Sequence, residues 1–236
     1  MPLREADSQP HVYDEAMRRF LLVALFVLTA FTSSRAGDSA NMGFIGFSRD
    51  GAYLAFEQFG ISDGSGFPYS RINVVSVARN AFVASVDADV KDENKPVKTA
   101  RDAARAKARA ALAKYGIVAG NQGRFHGLAG FVQMAASNYQ VAYFETLGRT
   151  YQLESTSEAL PNSGELCVEA PQLLFVTLDS RVLQRDTRLP ESRQCAYDYE
   201  FHSAFVYGRS LAVFMRYKIR GFEGADVRWM VVTTRL

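Results

Sequence analysis

The fold of this chain is decided by a pattern that occurs twice, as Phe47-Ser-Arg-Asp-Gly-Ala-Tyr-Leu-Ala-Phe56 and as Phe205-Val-Tyr-Gly-Arg-Ser-Leu-Ala-Val-Phe214. Each copy is a turn followed by an apolar strand. Each then leads through a glycine-rich loop, Gly60-Ile-Ser-Asp-Gly-Ser-Gly66 or Gly221-Phe-Glu-Gly224, into a second apolar strand. Internal repetition indicates a fold assembled from similar units. The pattern therefore predicts an antiparallel β protein that is propeller-like or sandwich-like.

Residues 43–87 contain four short apolar runs separated by turns, of which Asp50-Gly51 is a strong hairpin signal. Four strands in about 45 residues are the size of one propeller blade. About three such units fit the chain, one fewer than a closed propeller usually needs. We therefore predict a mainly β fold of antiparallel meander units, either an open propeller-like domain or a sandwich.

One helix is predicted to interrupt the strands at about residues 97–115. Its interior is rich in alanine, the residue with the highest helix propensity, and Gly116 suits the position just past its end. Pro96 suits the first turn, and Thr99 with Asp102 resembles a capping box. The apolar face is mostly alanine, so we expect the helix to lie on the surface of the β core.

The chain begins with the order of a secretory signal. Met17-Arg-Arg19 precedes an apolar run from Phe20 to Phe31, and Ser34-Arg-Ala36 places small residues where a signal peptidase reads them. The run is short for a membrane span, although an uncleaved anchor is an alternative. We predict a secreted or periplasmic protein whose signal peptide is cleaved after Ala36.

Cleavage there divides the chain into an N-terminal extension with signal peptide, residues 1–36, and one exported domain, residues 37–236. Residues 1–16 carry acidic side chains that suit no part of a signal, which favours Met17 over Met1 as the start. The net charge of +2 gives no reason to expect a nucleic acid partner. No later apolar run is long enough to span a membrane, so we expect no span in the mature form.

Cys167 and Cys195 both lie in the predicted exported domain. An oxidising compartment favours one disulfide between them. A metal site and a nucleophile are the alternatives, but no CxxC spacing supports the first and no nearby histidine pattern supports the second. We therefore predict a disulfide, no metal and no cofactor.

Gly60-Ile-Ser-Asp-Gly64 matches the G-x-S-x-G pattern of serine hydrolases. In those enzymes a helix follows the serine and holds it on a sharp turn, whereas the residues here, Ser65-Gly-Phe-Pro68, begin a helix poorly. His126 and His202 are the bases that the exported domain offers. An envelope hydrolase that uses Ser62 or loop carboxylates is therefore the alternative function.

Two charged patterns each have a functional and a simpler interpretation. Asp87, Asp89 and Asp92 resemble the start of a calcium loop, but the required glycine and the bidentate glutamate are absent, which favours a solvated linker. The predicted helix carries a basic stripe, formed by Lys98, Arg101, Arg105 and Arg109. The stripe would dock to an anionic envelope polymer or an acidic partner, or it is a solvated helix face.

The two glycine-rich loops combine glycine, acidic groups and aromatic rings. Loops of this kind on a rigid scaffold are common binding sites, although each ring is equally able to cap the core. If the two copies are equivalent, their loops lie on one rim and form the main partner-binding surface. The predicted binding residues are Asp63, Phe67, Tyr69, Phe222, Glu223 and Asp226.

Three stretches, Gly46-Phe-Ser-Arg-Asp-Gly-Ala-Tyr-Leu-Ala-Phe-Glu57, Asp63-Gly-Ser-Gly-Phe-Pro-Tyr-Ser70 and Gly221-Phe-Glu-Gly-Ala-Asp-Val-Arg228, carry a resemblance. Together with the signal peptide they resemble a family of predicted secreted bacterial proteins of unknown function, over nearly the whole exported domain. That resemblance implies export and no particular activity. The first stretch also resembles blades of the periplasmic Tol-system propeller protein and its relatives. Those proteins are binding scaffolds, which implies a non-catalytic binding or interaction protein here.

Overall fold

The computed structural model describes residues 37–128, 138–160, 167, 169–193 and 195–236, so the predicted signal peptide lies outside the described residues. No helix in the described ranges has both the length and the apolar character that a bilayer crossing requires. The strands are β1 Asn41–Phe47, β2 Tyr53–Ile61, β3 Pro68–Ser76, β4 Ala81–Asp89, β5 Arg124–Gly127, β6 Tyr139–Thr146, β7 Arg149–Ala159, β8 Gln172–Leu178, β9 Arg181–Arg185, β10 Tyr197–Tyr207, β11 Ser210–Arg220 and β12 Ala225–Arg235, with helix α1 at Val97–Lys114.

These strands form three antiparallel sheets of four strands each. The first sheet has the order β1-β2-β3-β4, the central sheet β12-β11-β10-β5, and the third sheet β6-β7-β8-β9. The mainly β prediction and the three four-strand units are confirmed. The sheets are stacked and do not close into a barrel within the described residues, so the sandwich-like form applies.

The repeated pattern forms equivalent hairpins in two neighbouring sheets. The first copy joins β1 to β2, the second joins β10 to β11, and the strand after each glycine loop, β3 or β12, pairs alongside. Their phenylalanines meet between the sheets, since the ring centroids of Phe56 and Phe214 lie 5.4 Å apart and those of Phe44 and Phe205 lie 4.5 Å apart. The repetition therefore builds the two sides of one core.

The central sheet is buried on both faces. Along β11, Leu211, Val213 and Met215 pack toward the third sheet, whereas Ala212 and Phe214 pack toward the first. This alternation follows from the pleat, because successive side chains of a strand point to opposite faces. A strand enclosed in this way needs a nearly continuous apolar run, and β11 has one.

Helix α1 lies against β2, β3 and β4 on the outer face of the first sheet, as predicted. Its buried residues are Ala100, Ala104 and Ala108, whose small side chains allow close approach to the sheet. Gly116 follows the helix with φ of 62°, a conformation that favours glycine. The predicted capping box is wrong, because Pro96 is the N-cap and no side chain bonds there.

Part of the basic stripe proves to be structural. Arg101 donates two hydrogen bonds of 3.0 and 2.9 Å to the Glu57 carboxylate, and Arg105 donates one of 3.0 Å. The Glu57 side chain is only 1% exposed, so it requires these partners. Burial raises the pKa of Glu57, but the bonds from Arg101, Ser70 and Arg105 outweigh it and hold the pKa below its usual value. The stabilisation is therefore lost as the pH falls through this lowered pKa.

Arg101→Gln is expected to lower the free energy of unfolding by about 2–3 kcal/mol. Removing one partner of a buried ion pair costs about 3–5 kcal/mol, and Arg105 keeps part of the interaction. Urea denaturation at neutral pH measures the effect. Arg109→Gln on the same helix is the control and should stay within about 0.5 kcal/mol of the wild type. Equal stability of the two variants would show that Glu57 does not depend on Arg101.

The predicted disulfide is present. Cys167 and Cys195 are bonded, with their Cα atoms 5.3 Å apart and a separation of 28 positions along the chain. A loop of this length is stabilised by roughly 3–4 kcal/mol in the chain-entropy model. The bond fixes the connection that leads into β10.

Candidate functional site

The two glycine-rich loops lie side by side. The Asp63 carboxylate accepts hydrogen bonds from the backbone N–H groups of Phe222 and Glu223, each 2.9 Å long. A carboxylate that accepts two backbone donors in this way ties the loop after β11 to the loop after β2. The structure thus brings together the two loops that the sequence copies contribute, on one rim.

Two apolar side chains stand out from this rim. Phe222 is 78% exposed and Ile61 is 52% exposed. The Phe222 ring packs against Gly64. A Cβ added at Gly64 would lie 2.9 Å from this ring, and the φ of Gly64 is +78°. We define the loop patch as Ile61, Asp63, Phe67, Phe222 and Glu223. The sequence analysis did not predict Ile61 as a binding residue. The feature that could have revealed it is an apolar residue within a polar, glycine-rich loop.

Tyr69 and Asp226, also predicted as binding residues, are turned inward. Asp226 is buried. Its carboxylate accepts a hydrogen bond of 2.9 Å from the Asp38 N–H and one of 2.7 Å from the Arg228 guanidinium. Burial raises the pKa of Asp226, and Arg228 partly offsets this. Tyr69 is half-buried with the Arg228 guanidinium 5.5 Å from its ring centre, and burial raises its pKa as well. These two residues support the rim from beneath.

An N-terminal segment that sequence reasoning missed completes this support. Ser39 forms a parallel bridge with Val227, the Ala40 N–H donates to the Val227 carbonyl, and the Val227 N–H donates to the Asp38 carbonyl. Asp38 also forms an ion pair of 2.9 Å with Arg228. Residues 38–40 therefore cover part of the free edge of β12, and they do so directly beneath the loop patch.

Asp63→Ala should free the loop of residues 221–224 without unfolding the domain, because it removes an exposed acceptor and no core contact. We expect faster amide hydrogen exchange at Phe222 and Glu223, with the melting temperature within a few degrees of the wild type. Asp63→Asn is the control, since its side-chain oxygen still accepts hydrogen bonds. Unchanged exchange in Asp63→Ala would show that the loop is held by other contacts.

The hydrolase motif lacks the surroundings that its chemistry needs. Ser62 lies in a turn that leads into β3, with no helix after it. His202 is hydrogen-bonded to Ser203 on β10, and His126 lies on β5 with its ring 5.5 Å from that of Phe144. Burial lowers the pKa of both histidines. Among the described residues, no hydrogen bond joins either histidine to Ser62.

The carboxylates of the calcium-like pattern have other partners. Asp87 pairs with Arg71, and Asp92 accepts the N–H of Asn94. Within the described ranges, no three histidine, cysteine, aspartate or glutamate side chains converge as metal ligands would.

A cleft lies where the three sheets meet, and sequence reasoning missed it. It consists of two adjoining cavities of about 370 and 430 Å³. Both cavities are lined by Gln58, Arg71, Ser192 and Tyr217. The first sheet, the central sheet and the connection between β9 and β10 each contribute to the wall. No local motif marks such a site, because its residues are distant in the chain.

The family model described as predicted secreted protein (DUF2259) matches residues 55–235. The chain belongs to this family. No curated protein and no solved structure shows significant similarity to it. Membership of DUF2259 bears out the resemblance carried by the glycine loops and describes a predicted secreted protein, and it names no activity.

Proposed function

We propose that this DUF2259 protein is a secreted, non-catalytic binding protein that holds a protein partner on the loop patch. The observation that supports this is Phe222, which is 78% exposed on a loop that Asp63 holds in place. An exposed aromatic ring on an ordered loop loses little conformational entropy when it is buried by a partner. Aromatic anchors with a polar surround are the residues that dominate interface energies.

The charges around the ring favour a partner with a neutral or basic contact surface. Asp63 and Glu223 place carboxylates beside Phe222, so an anionic polymer would be repelled from this rim. The anionic polymer expected from the basic stripe also loses support, because Arg101 and Arg105 are bonded to Glu57. We therefore favour a protein partner in the envelope or medium over a polymer.

Phe222→Ala is expected to weaken partner binding by at least about tenfold, since removal of an anchor residue costs 2 kcal/mol or more. The partner is first captured through a photo-crosslinking phenylalanine analogue at position 222. Affinity for that partner is then measured for each variant. Phe125→Ala is the matched control, because Phe125 is 59% exposed on β5 outside the patch.

Three outcomes would overturn this proposal. The first is equal crosslinking from positions 222 and 125, and the second is equal loss of affinity in Phe222→Ala and Phe125→Ala. The third is full affinity in Phe222→Ala. A circular dichroism spectrum identical to the wild type is required of each variant, so that lost binding is not lost folding.

We further propose that residues 37–236 form the single mature domain and that the signal peptide is cleaved after Ala36. Support comes from Asp38 and Ala40, which are 7% and 4% exposed and are bonded to β12. Gly37 is packed against the backbone of Ala225, since a Cβ added at Gly37 would lie 2.1 Å from the Ala225 carbonyl oxygen. Mass spectrometry of the exported protein should give Gly37 as the first residue. Recovery of peptides from residues 18–30 on the exported chain would contradict this cleavage.

A further inference from the structure

The cleft exists because the first sheet covers the central sheet with only half of its width. Phe44, Phe47 and Phe56, on β1 and β2, pack against the central sheet. On β3 and β4 most of the same face presents polar groups to the cleft, Arg71 and Asn73 from β3, and Ser85 and Asp87 from β4, while Val75 at the end of β3 still packs in this core. The alternate residues Ile72 and Ala88 pack beneath helix α1. The polar face of β3 and β4 is therefore encoded by strand alternation.

The opposite wall of the cleft is held rigidly. Arg193 is buried, pairs with Asp186 at 2.8 Å and donates a 2.8 Å bond to the Tyr199 hydroxyl. Asn80 links the first sheet to Gln184 on β9 and to the Thr233 N–H on β12. The disulfide anchors the same connection at its end. Because these walls are already fixed, a ligand binds between them without a large entropic cost of ordering the protein.

The charges of the cleft argue against an anionic ligand. Each arginine that lines it is already paired with a carboxylate: Arg71 with Asp87, Arg193 with Asp186, and Arg228 with Asp38 and Asp226. The remaining carboxylates, Asp89 and Glu191, lie at the rim, where they are exposed to solvent. An anion would have to displace the buried Arg193–Asp186 pair or approach the exposed carboxylates of the rim, and either offers little net gain.

The edge of β12 is not available to an extended peptide. A peptide added to a sheet needs a free strand edge, and the edge of β12 beside the cleft is occupied. The Gln58 side chain donates to the Trp229 carbonyl at 2.9 Å and accepts from its N–H at 2.8 Å, and Asn80 accepts from Thr233. Residues 38–40 occupy the edge further along.

The remaining chemistry fits a hydroxyl-rich neutral ligand. The Asn73 side chain accepts a 2.8 Å bond from the Ser85 hydroxyl, and the same amide group carries N–H donors. Paired donors and acceptors of this kind match adjacent hydroxyls, each of which both donates and accepts. Phe82 is 46% exposed in the wall, and an aromatic face with its negative quadrupole attracts the C–H face of a sugar ring.

We propose that the cleft is a binding site for a neutral saccharide of one or two rings. Cavities of about 300–1,000 Å³ hold ligands of this size. Phe82 is the platform for one ring, and Asn73, Ser85 and the Arg71–Asp87 pair contact its hydroxyls. Ser62 and Tyr69 line the end of the cleft next to the loop patch. The saccharide contacts proposed here involve none of the five patch residues, so variants of each site test its own proposal.

The test uses the exported domain with three neutral disaccharides, maltose, cellobiose and N,N′-diacetylchitobiose, as probes. Saturation-transfer difference NMR detects binding, and isothermal titration calorimetry measures it. At least one probe should bind, and about tenfold tighter than glucuronate, spermidine or free amino acids, because the cleft is charge-compensated. Absence of saturation transfer to every neutral probe would overturn the proposal, as would equal or tighter binding of a charged probe.

Variants then locate the binding in the cleft. Phe82→Ala and Asn73→Ala should each weaken saccharide affinity about tenfold, the first through loss of the platform and the second through loss of an amide that contacts the hydroxyls. Phe82 is exposed, so Phe82→Ala should fold even if Asn73→Ala, at a buried position, does not. Tyr143→Ala is the matched control, because Tyr143 is 57% exposed on β6 outside the cleft. Unchanged affinity in Phe82→Ala, or equal loss in Tyr143→Ala, would place the saccharide elsewhere and overturn the proposal.

Discussion

The rest of this structure depends on enclosing the central sheet, whose faces are both buried and whose edges must therefore be satisfied from within the protein. A buried backbone group without a partner costs about 1–3 kcal/mol. Two glutamines supply the missing partners in the same way. Gln58 of the first sheet bonds both backbone groups of Trp229, and Gln140 of the third sheet bonds the Phe201 N–H and the Tyr199 carbonyl.

One pair of neighbouring residues connects three layers. Gln58 points from β2 to the central sheet, and Glu57, the residue before it, points to the opposite face, where Arg101 and Arg105 attach the helix. Because successive residues of a strand face opposite sides, the adjacent Glu57 and Gln58 hold the first sheet to the helix and to the central sheet at the same time. With β2 held in this way, β3 and β4 extend past the central sheet and form a wall of the cleft.

The sequence predicted those features that depend on neighbours along the chain. Turn residues, apolar runs, alanine content and the cysteine pair revealed the hairpins, the helix and the disulfide. The repeat even placed the loops of Asp63 and Phe222 on one rim. Contacts between distant polar residues were missed, such as Glu57 with Arg101 and Gln58 with Trp229. A single glutamine or arginine carries no local sign of a partner that is 44 or 171 positions away.

The missed residues also explain why two of the predicted binding residues are turned inward. Tyr69 and Asp226 have the composition of a binding loop, but the N-terminal segment lies against them. Only the position of Asp38, 188 residues from Asp226, turns them into support. The cleft was missed for a related reason, since its lining comes from strands of all three sheets.

The pairing of residues 38–40 with β12 has a consequence for the order of assembly. A chain is synthesised from its N-terminal end, so residues 38–40 are made long before β12, the strand with which they pair. Until β12 arrives, the N-terminal segment lacks its partner and β11 shows an open edge. A chain that lacks β12 would thus expose the unpaired edge of β11 and would lack part of the support beneath the loop patch. The loop patch is therefore complete only when β12 is in place.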